Sequence, residues 1–272
     1  MTALEQFDIR GRSAIITGAA SGIGLAYAEA MAEAGATVTL TDIDAEGLQR
    51  EAERLQGLGF LVRTAELDVA DLDATRRVFD EHTDACGGLD IAFANAGIGT
   101  GPGFWNPAGH RNEEGQIDTL DPADWDLTIA VNLTGVFYTI REAARLMKPA
   151  RKGSIIATSS NAALINEPIV GTPYMPAKAG VAHLVRQVAL ELAEYRVRVN
   201  AIAPGPFVTN IGGGSLNDPK VRAAWDKQIP LGCIAETWQI KPLALYLASD
   251  ASSYVTGSQV VIDGGAMLGQ LR

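Results

Sequence analysis

Residues 17–24 read TGAASGIG, which puts Gly18, Gly22 and Gly24 inside a span of seven residues. An apolar run, Ser13-Ala14-Ile15-Ile16, comes just before, and a run with helical character, 25–34, comes just after. Strand, glycine-rich turn, helix: that order decides the fold. Glycines at such a junction permit a tight turn and let backbone approach a pyrophosphate. The helix N-terminus adds unpaired N–H groups and the positive end of its dipole. A glycine-rich turn with no ligand is the plainer alternative, and the triplet alone does not choose between the two.

Outward from this junction, short β-rich apolar runs alternate with longer amphipathic ones. Strands are expected at 13–17, 37–41, 60–65, 91–94, 154–157, 197–202 and 260–262. Most are apolar on both faces, as buried parallel strands are. Helices are expected at 23–34, 45–58, 74–83, 123–147, 176–194 and 237–248. Alternation of this kind, with right-handed crossovers, predicts an α/β fold: a Rossmann-type, doubly wound parallel sheet with helices on both faces. No repeat, low-complexity segment or linker interrupts it, so 1–272 is expected to be one domain. Two stretches break the rhythm. One is an insertion at about 98–121 that carries Trp105, His110 and Arg111; the other is a loop at about 206–230 that contains Gly212-Gly213-Gly214. Both follow expected strands, so both should leave the carboxyl edge of the sheet, where open α/β folds bind ligands.

The second strand adds a cofactor reading. Asp42 lies at its end, where a carboxylate can accept hydrogen bonds from a ribose 2′-hydroxyl. No Arg or Lys occurs among Ala19, Ala20, Ser21 and Ile43 to balance a 2′-phosphate, which predicts NAD rather than NADP. Helix N-capping is the other role open to Asp42, but Asp44 fits that better.

Composition narrows the classes. The chain is 47% hydrophobic and 20% charged, in the range of ordinary globular proteins. Its net charge is −10 with no basic block, which argues against nucleic acid as a partner. Cys86 and Cys233 are too few for a disulfide framework or a metal site, and suit a reduced, cytoplasmic protein. The N-terminus lacks the apolar core of a signal peptide, and no apolar run approaches membrane-spanning length.

Further motifs fall in order along nearly the whole chain: Asp68-Val69, Asn95-Ala96-Gly97, Tyr174-Met175-Pro176-Ala177-Lys178, Pro204-Gly205 with Val208-Thr209, and Asp263-Gly264-Gly265. Together with the spacing TGxxxGxG, they resemble the short-chain dehydrogenase/reductase family. The resemblance implies a cofactor loop of Gly18, Ser21, Gly22, Ile23 and Gly24. It implies adenosine contacts from Asp68, Val69, Asn95, Ala96 and Gly97, and a nicotinamide carboxamide held by Pro204, Gly205, Val208 and Thr209. It also implies a catalytic tetrad of Asn132, Ser160, Tyr174 and Lys178, no metal, and a homotetramer or homodimer built on the two long helices. In the tetrad, Lys178 is expected to bind the nicotinamide ribose, and the Asn132 backbone carbonyl to hold a relay water. The spacing between Ser160 and Tyr174 is one residue longer than the family commonly shows, which leaves Ser159 as the alternative to Ser160.

The residue types support this chemistry on their own. Tyr174 and Lys178 are four apart and share a helix face. A phenol titrates near 10, and an adjacent ammonium favours its ionised form. Tyr174 can then take a proton from an alcohol, or return one to a ketone oxygen. A hydroxyl at Ser160 can steady the shifting charge. Without the other motifs, a surface Tyr and Lys on an amphipathic helix would serve as well, a strand-end hydroxyl would explain Ser160, and a helix kink near Gly135 would explain Asn132. The expected function is NAD-dependent interconversion of a secondary alcohol and a ketone. An epimerase or dehydratase that uses NAD transiently, and a non-enzymatic dinucleotide-binding protein, are the alternatives. Substrate walls are expected from 161–167, from 207–216 and from the insertion around Phe104, Trp105 and His110. That mix suits a cyclic or aryl secondary alcohol, or a polyol.

Overall fold

Ala14 and Ile16 belong to one buried apolar cluster and Ile15, between them, to another. Successive strand residues point to opposite faces, so each face of the sheet needs its own cover. The computed structural model describes residues 2–99, 101–106 and 109–269. Its strands are β1 Ser13–Thr17, β2 Thr37–Asp42, β3 Val62–Glu66, β4 Ile91–Ala94, β5 Gly153–Thr158, β6 Val197–Pro204 and β7 Gln259–Ile262. Its helices are α1 Gly22–Glu33, α2 Ala45–Gly57, α3 Leu72–Cys86, α4 Pro122–Ile129, α5 Val136–Ala150, α6 Tyr174–Leu192, α7 Pro219–Asp226 and α8 Lys241–Ala248. The seven strands form one sheet in the order β3-β2-β1-β4-β5-β6-β7, and every pairing is parallel.

The two clusters sort the helices. Tyr27 and Met31 of α1, Leu48 and Leu55 of α2, and Leu247 of α8 pack on one face with Ala14, Ile16, Val38 and Phe93. Phe79 of α3, Ile140 and Met147 of α5, and Val181 and Val185 of α6 pack on the other with Ile15, Ala92, Ile155 and Val199. The expected doubly wound sheet is thus present. Strand order reverses at β1, which sits between β2 and β4, so a crevice opens beside its carboxyl end.

Helix starts follow local chemistry. Asp44, Asp71, Asp121 and Asp218 cap α2, α3, α4 and α7 by accepting from Gly47, Ala74, Ala123 and Lys220 backbone N–H groups. Asp44 is therefore the cap expected for α2.

Three expected elements differ. The helix expected at 123–147 is broken: a π-helical turn, Ala130–Gly135, separates α4 from α5. A Cβ on Gly135 would lie 2.6 Å from Val69 Cγ2, so glycine lets this turn press against the loop after β3. The helix expected at 237–248 begins as a 3-10 turn, Thr237–Ile240, and only its second part is α8. The loop at 206–230 contains a 3-10 segment, Ile211–Asn217, and then α7. Residues 100, 107 and 108 of the insertion lie outside the described set. No described helix is long and apolar enough to cross a membrane.

Candidate active site

A cleft of about 740 Å³ lies along the carboxyl edge of the sheet, reaching from Asp42 at the end of β2 to Ser160 beyond β5 and Tyr174 on α6. Its first wall is the junction that decides the fold. Gly18 and Gly22 adopt left-handed φ values of 69° and 57°, which other residues reach only at a cost. A Cβ on Gly24 would collide with the Gly18 carbonyl oxygen. Ser21, at the N-cap of α1, makes no side-chain capping bond, unlike the four aspartates named above. The chain's own side chains therefore do not take the N–H groups at the start of α1, and this is the cradle a phosphate needs.

Asp42 holds that loop in place. One carboxylate oxygen accepts from Ala20 N at 3.0 Å and the other from Asp44 N at 3.1 Å. Asp68, exposed at the rim, accepts from Ala70 N at 2.9 Å, and Val69 is buried behind it. Asn95 links three strands: its Nδ2 donates to Thr17 O at 3.0 Å, and its Oδ1 accepts from Thr158 Oγ1 at 2.9 Å. Thr17 Oγ1 in turn accepts from the Asn95 and Ala96 backbone N–H groups. Gly205 packs so closely on β7's end that a Cβ would lie 2.5 Å from Asp263 Cβ. Thr209 Oγ1, at the cleft wall, is buried without a partner, a polar atom that a bound amide or hydroxyl would satisfy.

Tyr174, the first residue of α6, sits partly buried with Ser160 as its hydrogen-bond partner. Burial pushes its phenol above the ordinary value of 10, and the Ser160 hydroxyl works against that. Lys178, one turn on, is 2% exposed and donates from Nζ to Thr158 O at 2.9 Å. Burial brings its ammonium down to about 8, and Nζ lies 5.6 Å from the centre of the Tyr174 ring. The two hydroxyls after β5 have separate partners. Both residues line the cleft, but Ser159 Oγ donates to Lys178 O at 3.1 Å, whereas Ser160 Oγ donates to Asn161 Oδ1 at 3.2 Å, accepts from Ala162 N and is the one that meets Tyr174. Asn132 is fully buried in the π-helical turn, and both ends of its amide engage one residue. Oδ1 accepts from Ile98 N at 2.8 Å, and Nδ2 donates to Ile98 O at 2.7 Å.

Most expected site residues come together in this cleft, but some do not. Val208 donates its N–H to Ala235 O and lines a smaller neighbouring groove with Gly22 and Thr209. Asn132 stands behind the cleft wall rather than in it. Phe104, Trp105 and His110 are not cleft walls. Trp105 N donates to Pro168 O, Pro102 bridges to Val170, and the insertion packs on that segment. Residues 161–167 do not line the cleft either, whereas Phe207, Ile211 and Leu216 do. Ile43, Ile98, Leu127 and Thr158 line it without having been expected. Their signal was position: Ile43 directly follows β2, Thr158 ends β5, and Ile98 lies in the loop that leaves β4.

Residues 18–267 match the protein-family model described as Enoyl-(Acyl carrier protein) reductase. The chain is 36% identical to cis-4-hydroxycyclohexanecarboxylate dehydrogenase of Sinomonas cyclohexanicum over 254 residues, 93% of this chain and 96% of that protein. A short-chain type dehydrogenase/reductase from Mycobacterium marinum superposes with a TM-score of 0.85 at 36% identity, covering 98% of this chain and 99% of its own. A gluconate 5-dehydrogenase from Burkholderia cenocepacia, solved with NADP and tartrate, gives 0.87 at 32% identity, with 98% and 100% covered. Likeness of this extent in both sequence and fold makes the chain a member of the short-chain dehydrogenase/reductase family, and an oxidoreductase of small-molecule alcohols and ketones.

Proposed function

We propose that the protein is an NAD-dependent dehydrogenase that interconverts a secondary alcohol and a ketone, with Tyr174 exchanging the proton. One observation carries this reading: the Tyr174 phenol, the Ser160 hydroxyl and the Lys178 ammonium share the cleft that reaches Asp42. A bound nicotinamide dinucleotide would supply the hydride acceptor or donor. Gly18, Ser21, Gly22, Ile23 and Gly24 would hold its pyrophosphate, and Asp42 its adenosine ribose. Asp68, Val69, Asn95, Ala96 and Gly97 would flank the adenosine, and Lys178 the nicotinamide ribose. Pro204, Gly205, Val208 and Thr209 would hold the carboxamide. Lys178 is the one cation among the described residues that line the cleft, and on this reading Asp42 would meet a 2′-phosphate with a carboxylate. NAD is therefore favoured over the NADP bound by the gluconate 5-dehydrogenase.

In oxidation, Tyr174 accepts the alcohol proton while Ser160 keeps the substrate oxygen in hydrogen-bond reach. Burial alone disfavours both phenolate and ammonium, but opposite charges in one buried site favour each other. Phenolate formation at Tyr174 and protonation of Lys178 are thus linked, and the pair titrates as a unit. Asn132 spends its side chain on Ile98, and the π-helical turn around it loosens the regular carbonyl ladder. Its backbone carbonyl is then the anchor for a water that passes protons between Lys178 and solvent.

The whole chain works as one catalytic unit on a cyclic or aryl secondary alcohol, or a polyol, with apolar contact from Phe207, Ile211 and Leu216. Exposed Phe137 on α5 and Leu190 on α6 favour assembly through these helices into a homotetramer or homodimer. The free thiols of Cys86 and Cys233 suit the cytoplasm. The test is NADH formation over a panel of secondary, cyclic and polyhydroxy alcohols, with NAD and with NADP, in wild type and Tyr174→Phe. The variant should still bind dinucleotide and lose about 10²- to 10⁴-fold in kcat. Near wild-type turnover in Tyr174→Phe would overturn the proton path, and a preference for NADP would overturn the Asp42 argument alone.

A further inference from the structure

A second cleft, about 770 Å³, opens at the opposite, amino edge of the sheet, where β5 and β6 begin. It shares no lining residue with the cleft that reaches Asp42. Five of its side chains are cationic, Arg12, Arg151, Lys152, Arg196 and Arg198, against two carboxylates, Asp90 and Asp250. A chain of net charge −10 thus concentrates an excess of three positive charges in one concave site.

The carboxylates account for two of the five cations. Arg12 pairs with Asp250 and Lys152 with Asp90, each at 2.8 Å. The other three have no carboxylate partner among the described residues. Arg198 is half-buried and fixed, donating to Ser252 Oγ at 2.8 Å, Leu247 O at 3.0 Å and Ser249 O at 3.1 Å. Arg151 donates to Glu194 O at 2.6 Å. Arg196 is exposed and makes no side-chain hydrogen bond or ion pair with any described residue.

The backbone gives a second, independent observation. Among the described residues only Arg151 and Arg196 carry a side chain at positive φ, at 51° and 55°. Both end helical segments, after α5 and after the 3-10 turn Ala193–Tyr195, at the position where glycine is favoured because a Cβ is strained there. Arginine is therefore kept twice against its own backbone preference, and both side chains reach the same cleft. The negative end of a helix dipole explains Arg151, which bonds a helix-end carbonyl. It does not explain Arg196, whose guanidinium stays open. Planar guanidinium forks suit phosphoryl oxygens better than single point charges do, and the volume suits a small ligand.

We propose that this amino-edge cleft binds a small polyphosphate, held by Arg151, Arg196 and Lys152 over the fixed charge of Arg198. The phosphates could come as an inorganic chain or as part of a nucleotide. For the nucleotide, the fully exposed ring of Tyr254 at the same rim offers a stacking face.

The test titrates tripolyphosphate into the full chain by calorimetry at low salt, in wild type and in Arg151→Gly/Arg196→Gly. Glycine suits left-handed backbone, so the variant should keep or raise its Tm, and any loss of binding is then not a loss of folding. Wild type should bind one tripolyphosphate per chain, more weakly as salt rises, and the variant about tenfold or more weakly still. Arg196→Gly alone removes a side chain without partners and should also weaken binding. Absence of binding in wild type overturns the proposal. So does equal binding in the variants, which would put the anion elsewhere, and so does citrate binding as tightly as tripolyphosphate. ATP binding that exceeds tripolyphosphate, is lost in the double variant and falls in Tyr254→Ser identifies a nucleotide; equal binding of the two identifies the inorganic chain.

Discussion

Removing the Asn132 side chain should loosen the active-site wall without touching the cleft surface. Its amide makes a reciprocal pair with Ile98, accepting at 2.8 Å and donating at 2.7 Å, in a site where Asn132 has no solvent exposure. Gly97, the residue before Ile98, packs against both Asn132 and Lys178: a Cβ there would sit 3.1 Å from Asn132 Oδ1 and 3.5 Å from Lys178 Nζ. Asn132→Ala deletes two hydrogen bonds and leaves the Ile98 N–H and C=O without them. At about 0.5–1.5 kcal/mol for each bond, and more where the orphaned group stays dry, the loss is about 2–4 kcal/mol. For a chain of this size that lowers Tm by about 5–10 °C, which scanning fluorimetry resolves. Residues 97–99 line the cleft, so dinucleotide affinity and kcat should fall as well. Asn132→Asp keeps the acceptor and turns the donor into an oxygen facing Ile98 O. Its stability should recover in part as pH falls and the new carboxyl takes up the proton that restores a donor. A Tm within about 1 °C of wild type for Asn132→Ala, with kcat within about twofold, would refute the clamp.

Asp42→Ala frees the Ala20 and Asp44 amides and removes the charge set against a 2′-phosphate; the NAD-to-NADP ratio of kcat/KM should shrink about tenfold or more, and an unchanged ratio would move selectivity to another residue. Ser160→Ala should cut kcat far more than Ser159→Ala, which loses a bond to Lys178 O and none to Tyr174; the reverse order would exchange their roles. His82 is buried between Thr39, which meets its Nδ1 at 2.8 Å, and an Nε2 with no partner, and burial with help from Arg63 brings its pKa from 6.5 to about 4. Because the folded value is the lower one, protons favour the unfolded chain. The neutral ring's contribution is complete above pH 6.5 and drains away as pH falls toward about 4, by on the order of 3 kcal/mol. The Tm drop between about pH 7 and about pH 4.5 should be smaller in His82→Gln, and an equal drop would assign the acid sensitivity elsewhere.

The sheet was legible because buried parallel strands are apolar on both faces and each is punctuated by a turn. The β1–α1 junction was legible for a different reason: only glycine fits its left-handed and crowded positions. The π-helical turn at Ala130–Gly135 was not, because one extra residue hardly disturbs an apolar stripe over so short a span. A local signal for α7 did exist: Asp218 followed by Pro219 is a cap followed by the residue best suited to a first helical turn. The insertion was misplaced because its partners, Pro168 and Val170, lie about sixty residues away, and no local pattern announces such a pairing. Distance in sequence hid the amino-edge cations as well. Residues 12, 151–152 and 196–198 share a cleft only because β1, β5 and β6 begin at one edge. In the candidate site, the motifs pointed to Tyr174, Lys178 and Ser160, but what separates Ser159 from Ser160 is the partner of each hydroxyl, Lys178 O for one and Tyr174 for the other.

The π-helical turn also sets the phase of everything after it. Val136, Ile140, Ala143 and Met147 are buried against the sheet because one additional residue is spent at 130–135. Wound as an unbroken α-helix with no residue removed, the same chain would rotate the downstream face by about 100°. Gly135, Thr139, Glu142 and Leu146 would then take the places of Val136, Ile140, Ala143 and Met147, setting a carboxylate in an apolar layer. The extra residue and the wide turn therefore compensate each other, as an insertion and its frame correction do: taking away both leaves α5 in phase, and taking away the wide turn alone puts it out of frame.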